Sequence, residues 1–379
     1  MTLTCTAAVL RETGLPRPLD QSQPLKIETV TLLDPTPTDV VVKVIGAGLC
    51  HSDLSVMDGT RGRKTPIVLG HEGAGEVVEV GSGVSDVKVG DRVIFQFAPS
   101  CGRCRNCMAG RPQICDVAPK AAMANELISG GSRIRGEGGE VIGHFTGVSC
   151  FAQYAVVNRG SIVVIEDDID LADAAVFGCA VMTGAGAAIN TANVKPGESV
   201  AVFGLGGVGL SGVMGAKACG AGCIVALDPE PSKRAKALEM GATHAVDPTD
   251  PKAVEEVRDL THGGVDAALE LAGVTVAMET AYDVTARGGR IATAGLSPMG
   301  KHFKVHHADM VYHEKSILGS YMGSCVPVRD IPRFLSMRRS GAMPVDKMID
   351  GYIGFDELNL GFEKLAQGGA VRQILKPHG

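Results

Sequence analysis

Val200-Ala201-Val202-Phe203-Gly204-Leu205-Gly206-Gly207-Val208-Gly209 sets an apolar run directly before a glycine-rich turn. The run has strand composition, and the uncharged residues after it, to about Cys219, have helical composition. In this G-x-G-x-x-G pattern the glycines have separate tasks. Gly204 makes the tight turn, Gly206 lets a pyrophosphate approach the backbone, and Gly209 lets the helix pack against the strand, with Gly207 and Val208 between them. The helix start offers free N–H groups to phosphate. Roughly 20 residues on, Asp228 closes the next apolar run, Ile224–Leu227. An acid there accepts hydrogen bonds from a ribose and repels a 2′-phosphate, which points to NAD and away from NADP. The uncharged stretch from Ser199 to Ala216 has the length of a membrane span, but its glycines fit a buried strand and helix better.

The alternation continues outward. Ser232 is placed to cap a helix over Lys233–Met240 that Gly241 ends, and Asp250 to cap another with Pro251 at its first position. His244–Asp247, Val265–Leu269, Arg290–Ala294 and Ser316–Leu318 read as strands, with a helix near residues 275–286. About six strands alternating with helices imply an α/β fold with a doubly wound parallel sheet. Upstream, Val40–Val44, Gly75–Val80 and Asp91–Phe97 are strand-like runs separated by turn residues, so residues 1–180 read as β-rich. The tail, 319–379, carries a helix near Leu358–Gln367 and is expected to rejoin the first part.

Composition supports two soluble domains: 379 residues, 45% hydrophobic. The net charge is −6 and the one basic cluster, Arg61-Gly62-Arg63-Lys64, is short. Neither nucleic acid nor a membrane is an expected partner. The amino terminus has no secretory pattern, so a cytoplasmic location and reduced thiols are expected for the 11 cysteines.

Four of these form Cys101-x2-Cys104-x2-Cys107-x7-Cys115. Four thiolates close a tetrahedral shell around a structural zinc. An iron–sulfur cluster or a redox dithiol uses related spacings. Elsewhere, Cys50-His51-Ser52-Asp53, Gly70-His71-Glu72-Gly73-Ala74-Gly75 and Phe177-Gly178-Cys179-Ala180 offer Cys50, His71 and Cys179 for a second zinc. Two thiolates and one imidazole leave a tetrahedral position open, as catalytic zinc requires; alcohol dehydrogenase is the known case of that ligand set. Glu72 reads either as a general base or as a carboxylate that tunes the metal. Cys5, Cys150, Cys219, Cys223 and Cys325 read as free thiols, and His302, His306, His307 and His313 as surface residues.

Together, Gly70-His71-Glu72-x-x-Gly75-x5-Gly81-x2-Val84, the cysteine loop and Phe203–Ser211 resemble the zinc-dependent alcohol dehydrogenases of the medium-chain dehydrogenase/reductase family, the liver-type branch most. The resemblance implies a GroES-like catalytic domain, 1–180 plus 319–379, around an inserted Rossmann NAD-binding domain, 181–318. It implies two zinc ions per subunit, a small alcohol, aldehyde or ketone substrate, and a homodimer. By resemblance, Ser52 contacts the alcohol oxygen, Asp53 and Glu72 stand behind the metal, and His51 and Arg372 lie near the pyrophosphate. Lys233 is placed near the adenosine ribose, Thr183 and Val208 at the nicotinamide, and Phe97, Phe145 and Leu296 in the substrate wall. The chain departs from the family at Ser55, where the usual relay histidine is missing. Arg61 and Pro119 differ from the branch that acts on glutathione conjugates.

Overall fold

The computed structural model describes residues 3–166 and 168–379, and the chain divides into two compact units. One comprises the described residues up to Cys179 with Val326–Pro332 and Ile349–Gly379; the other comprises Ala180–Cys325 and Arg333–Met348. The unit holding the glycine turn thus runs past the expected end at residue 318 and takes a second piece of the tail.

The first unit combines a closed barrel with a seven-stranded sheet. The barrel runs Leu3–Leu10, Leu25–Leu32, Ile134–Arg135, Val141–His144 and Ile67–Val68. The sheet is built on Asp39–Gly48, which pairs antiparallel with Gly73–Val80, Tyr154–Asn158 and the late strand Gln373–Leu375. That last pairing ties the chain's end to its beginning. Val40, Val42 and Val44 face a core with Phe95, Phe151 and Phe362, all buried. Val41, on the opposite face, is buried in a second core with Val9 and Val156, so this strand is covered on both sides, which fits its near-continuous apolar run.

The second unit is a six-stranded parallel sheet. Its order is His244–Val246, Cys223–Leu227, Ser199–Phe203, Val265–Glu270, Thr285–Thr293 and Ser316–Gly319. The order reverses beside Ser199–Phe203, and ligands of open α/β sheets bind outside the strand ends at such a point. The uncharged stretch resolves into strand Ser199–Phe203 and helix Gly207–Ala218, both largely buried. Among the described residues no single helix is long and apolar enough to cross a membrane.

Two helix starts differ from the sequence expectation. The helix at 231 is capped by Glu230, whose carboxylate accepts from Ser232 N–H, with Pro231 at its first position. Proline's missing N–H costs nothing there, so the helix starts earlier than a Ser232 cap would allow. The next helix begins at Ala253, because Asp250 uses its carboxylate on Lys252 N–H to close a turn first.

Candidate active site

Cys50 ends the extended run after Asp39–Gly48 and sits at the amino end of the short helix His51–Met57. His71 lies just before strand Gly73–Val80, and Cys179 follows the turn Ala175–Gly178. Close packing brings the three together, and glycine makes it possible. A Cβ on Gly70 would lie 2.6 Å from Phe151 N, and one on Gly178 would lie 2.2 Å from Phe95 O. A Cβ on Gly48 would lie 2.5 Å from Glu72 Oε1.

One potential ligand atom from each of Cys50, His71, Glu72 and Cys179 lies within 4.8 Å of the others, and all four residues are buried. Two sulfurs and one imidazole fit zinc with one tetrahedral position left open, and the Glu72 carboxylate stands beside them. Asp53 Oδ1 accepts the Gly70 N–H at 2.9 Å, and its Oδ2 lies 3.0 Å from His71 Nδ1 at ion-pair distance but without hydrogen-bond geometry. Nδ1 being turned to Asp53, Nε2 is the imidazole atom that would hold a metal, as in carboxylate–histidine–metal arrangements.

The protonation of this pocket's groups is strongly coupled. A hydrogen bond from Cys179 holds Cys50 well below the ordinary thiol range, and Cys50 in turn raises Cys179, so the pair shares a proton. Burial pulls His71 down, but Asp53 and Cys50 outweigh it and hold the imidazole well above its ordinary value. Burial pushes Glu72 up to about 7, against the pull of Arg372. Neither Glu72 carboxylate oxygen has a hydrogen bond, although Arg372 Nε lies 3.3 Å from Oε1. Buried, unsatisfied carboxylate oxygens beside a shared-proton thiol pair are the signature of a site built for a metal, which must displace those protons to bind.

The four-cysteine loop forms a second, separate cluster, again with its ligand atoms within 4.8 Å of one another. Cys104 Sγ stands 3.4 Å from Cys107 Sγ and 4.0 Å from Cys115 Sγ. Zinc–sulfur bonds of ~2.3 Å at tetrahedral angles put sulfurs ~3.8 Å apart, so one ion fits between them. A multi-iron cluster needs its thiolates spread over several irons, which this packing does not provide. Backbone N–H groups of Cys101, Cys104, Asp116 and Val117 point at the sulfurs at 3.3–3.5 Å, as thiolates require.

In the second unit the glycine turn has the geometry its pattern implies. Gly204 has φ +82°, and a Cβ on Gly209 would fall 1.7 Å from Gly204 O. A Cβ on Gly206 meets nothing within 4 Å, which leaves open space where a pyrophosphate would approach. Asp228 is buried, with Oδ2 accepting Leu205 N–H at 2.8 Å and Oδ1 accepting Glu230 N–H at 2.9 Å. The acid is therefore locked to the turn. Each oxygen keeps a lone pair for a ribose hydroxyl.

These features match known proteins. Residues 36–167 match the family described as alcohol dehydrogenase GroES-like domain, and residues 207–338 match zinc-binding dehydrogenase. The chain is 36% identical to geraniol dehydrogenase of Castellaniella defragrans, across 98% of each chain. It belongs to the zinc-binding dehydrogenase family. Among solved structures, an alcohol dehydrogenase zinc-binding domain protein from Burkholderia ambifaria superimposes with a TM-score of 0.94 at 33% identity, covering 100% of both chains. Benzyl alcohol dehydrogenase from Acinetobacter calcoaceticus gives 0.91 at 30% identity, covering 99% of each.

Within this zinc-binding dehydrogenase, His51 is exposed and Ser52 half-buried on the helix that Cys50 starts. Ser55 donates its hydroxyl to His51 O at 2.8 Å, so the residue in the relay position is turned to its own helix backbone. Arg372 is buried, donating to Leu49 O at 2.8 Å beside Glu72. Phe97 and Phe145 stand edge-on to His71, with ring centroids 5.4 and 5.6 Å away. Leu296, Lys233, Thr183 and Val208 all belong to the second unit; Leu296 is exposed and the other three half-buried. Sequence reading missed Glu270. Its buried carboxylate accepts Ala272 N–H, Gly273 N–H and the Thr293 hydroxyl, tying the loop after Val265–Glu270 to the end of strand Thr285–Thr293. Only its place at the end of an apolar run could have marked it.

Proposed function

We propose that this protein is an NAD-dependent alcohol dehydrogenase that interconverts primary or secondary alcohols with aldehydes or ketones, using one catalytic and one structural zinc. The observation that carries the reading is the buried Cys50–His71–Cys179 set with Glu72, held apart from a closed four-thiol cluster. A purely cofactor-binding protein has no use for an incompletely filled metal shell. Bound zinc supplies Lewis acidity to the alcohol oxygen, and bound NAD supplies the hydride acceptor.

The chain's own residues do the rest. Asp53 orients His71, and Gly70, Gly48 and Gly178 allow the ligands to converge. Arg372 balances the Glu72 carboxylate, so Glu72 acts as a tuning charge behind the metal. Ser52 is assigned to the alcohol oxygen and starts proton removal. Because Ser55 is turned to its helix backbone, the proton's route outward runs through His51 or solvent. Phe97 and Phe145 give the zinc ligand an aromatic flank, which suits alcohols with an aromatic or unsaturated carbon next to the hydroxymethyl group. The named activities of the geraniol and benzyl alcohol dehydrogenases agree with that preference. In the second unit, the glycine turn takes the pyrophosphate, Asp228 the ribose, Lys233 its rim, and Thr183 and Val208 the nicotinamide.

We also propose a homodimer. Ser316–Gly319 ends the parallel sheet and pairs on one side only, with Arg290–Thr293, among the described residues. An open edge of this kind pairs readily with a second copy. Light scattering giving a monomer or a tetramer would correct this.

The activity test is a panel of primary, secondary and aromatic alcohols with NAD or NADP, followed at 340 nm on zinc-loaded protein. NADH formation, fastest with benzylic or allylic alcohols, is expected. No NADH from any alcohol with zinc bound would overturn the reading.

A further inference from the structure

A cavity of about 610 Å³ opens on the second unit, lined by Arg258, Arg287, Lys304, Lys315 and His306 among others. Its size is that of small-molecule pockets in general. It is remote from the dinucleotide crevice. Gly263 precedes strand Val265–Glu270, Thr285 to Arg287 begin strand Thr285–Thr293, and Lys315 precedes Ser316–Gly319. All three therefore mark the amino-terminal edge of a parallel sheet. The glycine turn follows the carboxyl end of Ser199–Phe203 in the same sheet, so a strand length of roughly 17 Å separates the two edges.

Three acids stand among the lining's four arginines and lysines, and among the described residues only Asp309 of the three is ion-paired. Asp309 accepts from Tyr282 Oη at 3.0 Å and lies at ion-pair distance from His313 Nδ1, 2.8 Å, and Lys315 Nζ, 3.7 Å. Glu279 Oε1 accepts Lys304 N–H at 2.9 Å. Asp283 is exposed, and its backbone carbonyl accepts from Arg258 Nη2 at 2.7 Å. Lys315 is buried under the floor, its ammonium over the Tyr282 ring at 4.4 Å. The side chains of Arg287 and Lys304 take part in no hydrogen bond or ion pair among the described residues. His306 Nδ1 accepts Asp309 N–H at 3.2 Å, so its Nε2 carries a proton to donate.

We propose that this cavity is a binding site for a metabolite-sized anion with at least two negative charges, phosphate or carboxylate, held chiefly by Arg287 and Lys304. The fixed guanidinium of Arg258, the Nε2–H of His306 and the buried charge of Lys315 add to the field. The proposal concerns a ligand other than substrate and cofactor.

The test is calorimetric titration of full-length, zinc-loaded protein with inorganic pyrophosphate and, separately, citrate. Saturating NAD keeps the glycine turn occupied, and sodium chloride matches the ionic strength. One-site binding with Kd below ~1 mM is expected for at least one probe; the tighter probe tells phosphate from carboxylate. Combining Arg287→Gln with Lys304→Gln should weaken it at least ~tenfold, since charge-assisted contacts are lost. The melting temperature without anion and the affinity for NAD should stay unchanged; both side chains are exposed, so folding is not at stake. Each single variant should weaken binding partially. The proposal is overturned if neither probe binds, if the double variant binds as wild type, or if NAD competes the anion away.

Discussion

Replacing Asp228 by alanine should remove the proposed preference for NAD, and the structure allows the size to be worked out. The carboxylate is buried and fixed on Leu205 N–H and Glu230 N–H, so it cannot swing away from an arriving 2′-phosphate. A unit charge ~4 Å from another costs ~4 kcal/mol at the effective dielectric of a protein surface. That corresponds to a discrimination against NADP of ~10³-fold. Loss of hydrogen bonds from ribose hydroxyls to a charged acceptor costs a further ~1.5–3 kcal/mol on NAD itself. Asp228→Ala should therefore lower kcat/KM for NAD by ~10- to 100-fold, while kcat/KM for NADP rises until the two agree within ~tenfold. The variant also strands two backbone donors, at ~1–3 kcal/mol each, so its melting temperature should fall. Asp228→Asn separates the effects, because it keeps one acceptor oxygen and removes the charge. Steady-state kinetics with both cofactors at fixed alcohol provide the assay. A variant that still prefers NAD by ~10³-fold would show that selectivity lies elsewhere.

His144 predicts acid sensitivity. It is fully buried, its Nε2 accepts Arg133 N–H at 3.1 Å, and burial, with Arg133 and Arg135 nearby, pulls its pKa down to about 3. The unfolded chain protonates it below ~6.5 and the folded chain does not, so its stability is intact above that pH and is lost as pH falls towards 3. Between pH 7 and 5 wild type should lose ~2 kcal/mol more than His144→Gln, read from denaturant midpoints at the two pH values; equal losses would show that the histidine is not buried neutral. Glu72→Gln should remove one of the charges beside Arg372, with Cys50 and Cys179 still near it, and weaken zinc retention ~10- to 100-fold. Complete loss of turnover with zinc fully retained would instead make Glu72 the base. Cys104→Ser should cost one bound zinc and lower the melting temperature while NAD still binds; two zinc ions retained would remove the cysteine loop as a metal site.

The parts of this protein legible in its sequence are those where chemistry fixes the residue type. Only glycine tolerates Gly204 O at 1.7 Å, so Gly209 announces itself, as do four closely spaced cysteines whose ligand atoms converge within 4.8 Å of one another. The parallel sheet was legible because its strands are short apolar runs between helix signals. The barrel was not. Ile134–Arg135 and Ile67–Val68 are only two residues long, and their strand character comes from long-range pairing rather than from local pattern. The helix His51–Met57 hid inside a ligand motif. Resemblance alone placed Asp53 near the expected metal ligands, and its double role on Gly70 and His71 depends on a fold that brings residues 53 and 70 together. Glu270 gave little signal, because its three partners come from the loop after its own strand and from the end of strand Thr285–Thr293, which meet only in the folded sheet.

The most direct test of the central claim couples metal content to turnover. Wild-type protein and a Cys50→Ser, Cys179→Ser double variant would be assayed for bound zinc and for NADH formation with benzyl alcohol. The account predicts two zinc ions per chain and turnover for wild type. For the variant it predicts one zinc ion, retained NAD binding and turnover reduced by at least ~10³-fold, because the metal's charge stabilisation at the alcohol oxygen is worth several kcal/mol. Undiminished NADH formation by a variant that holds a single zinc would contradict it.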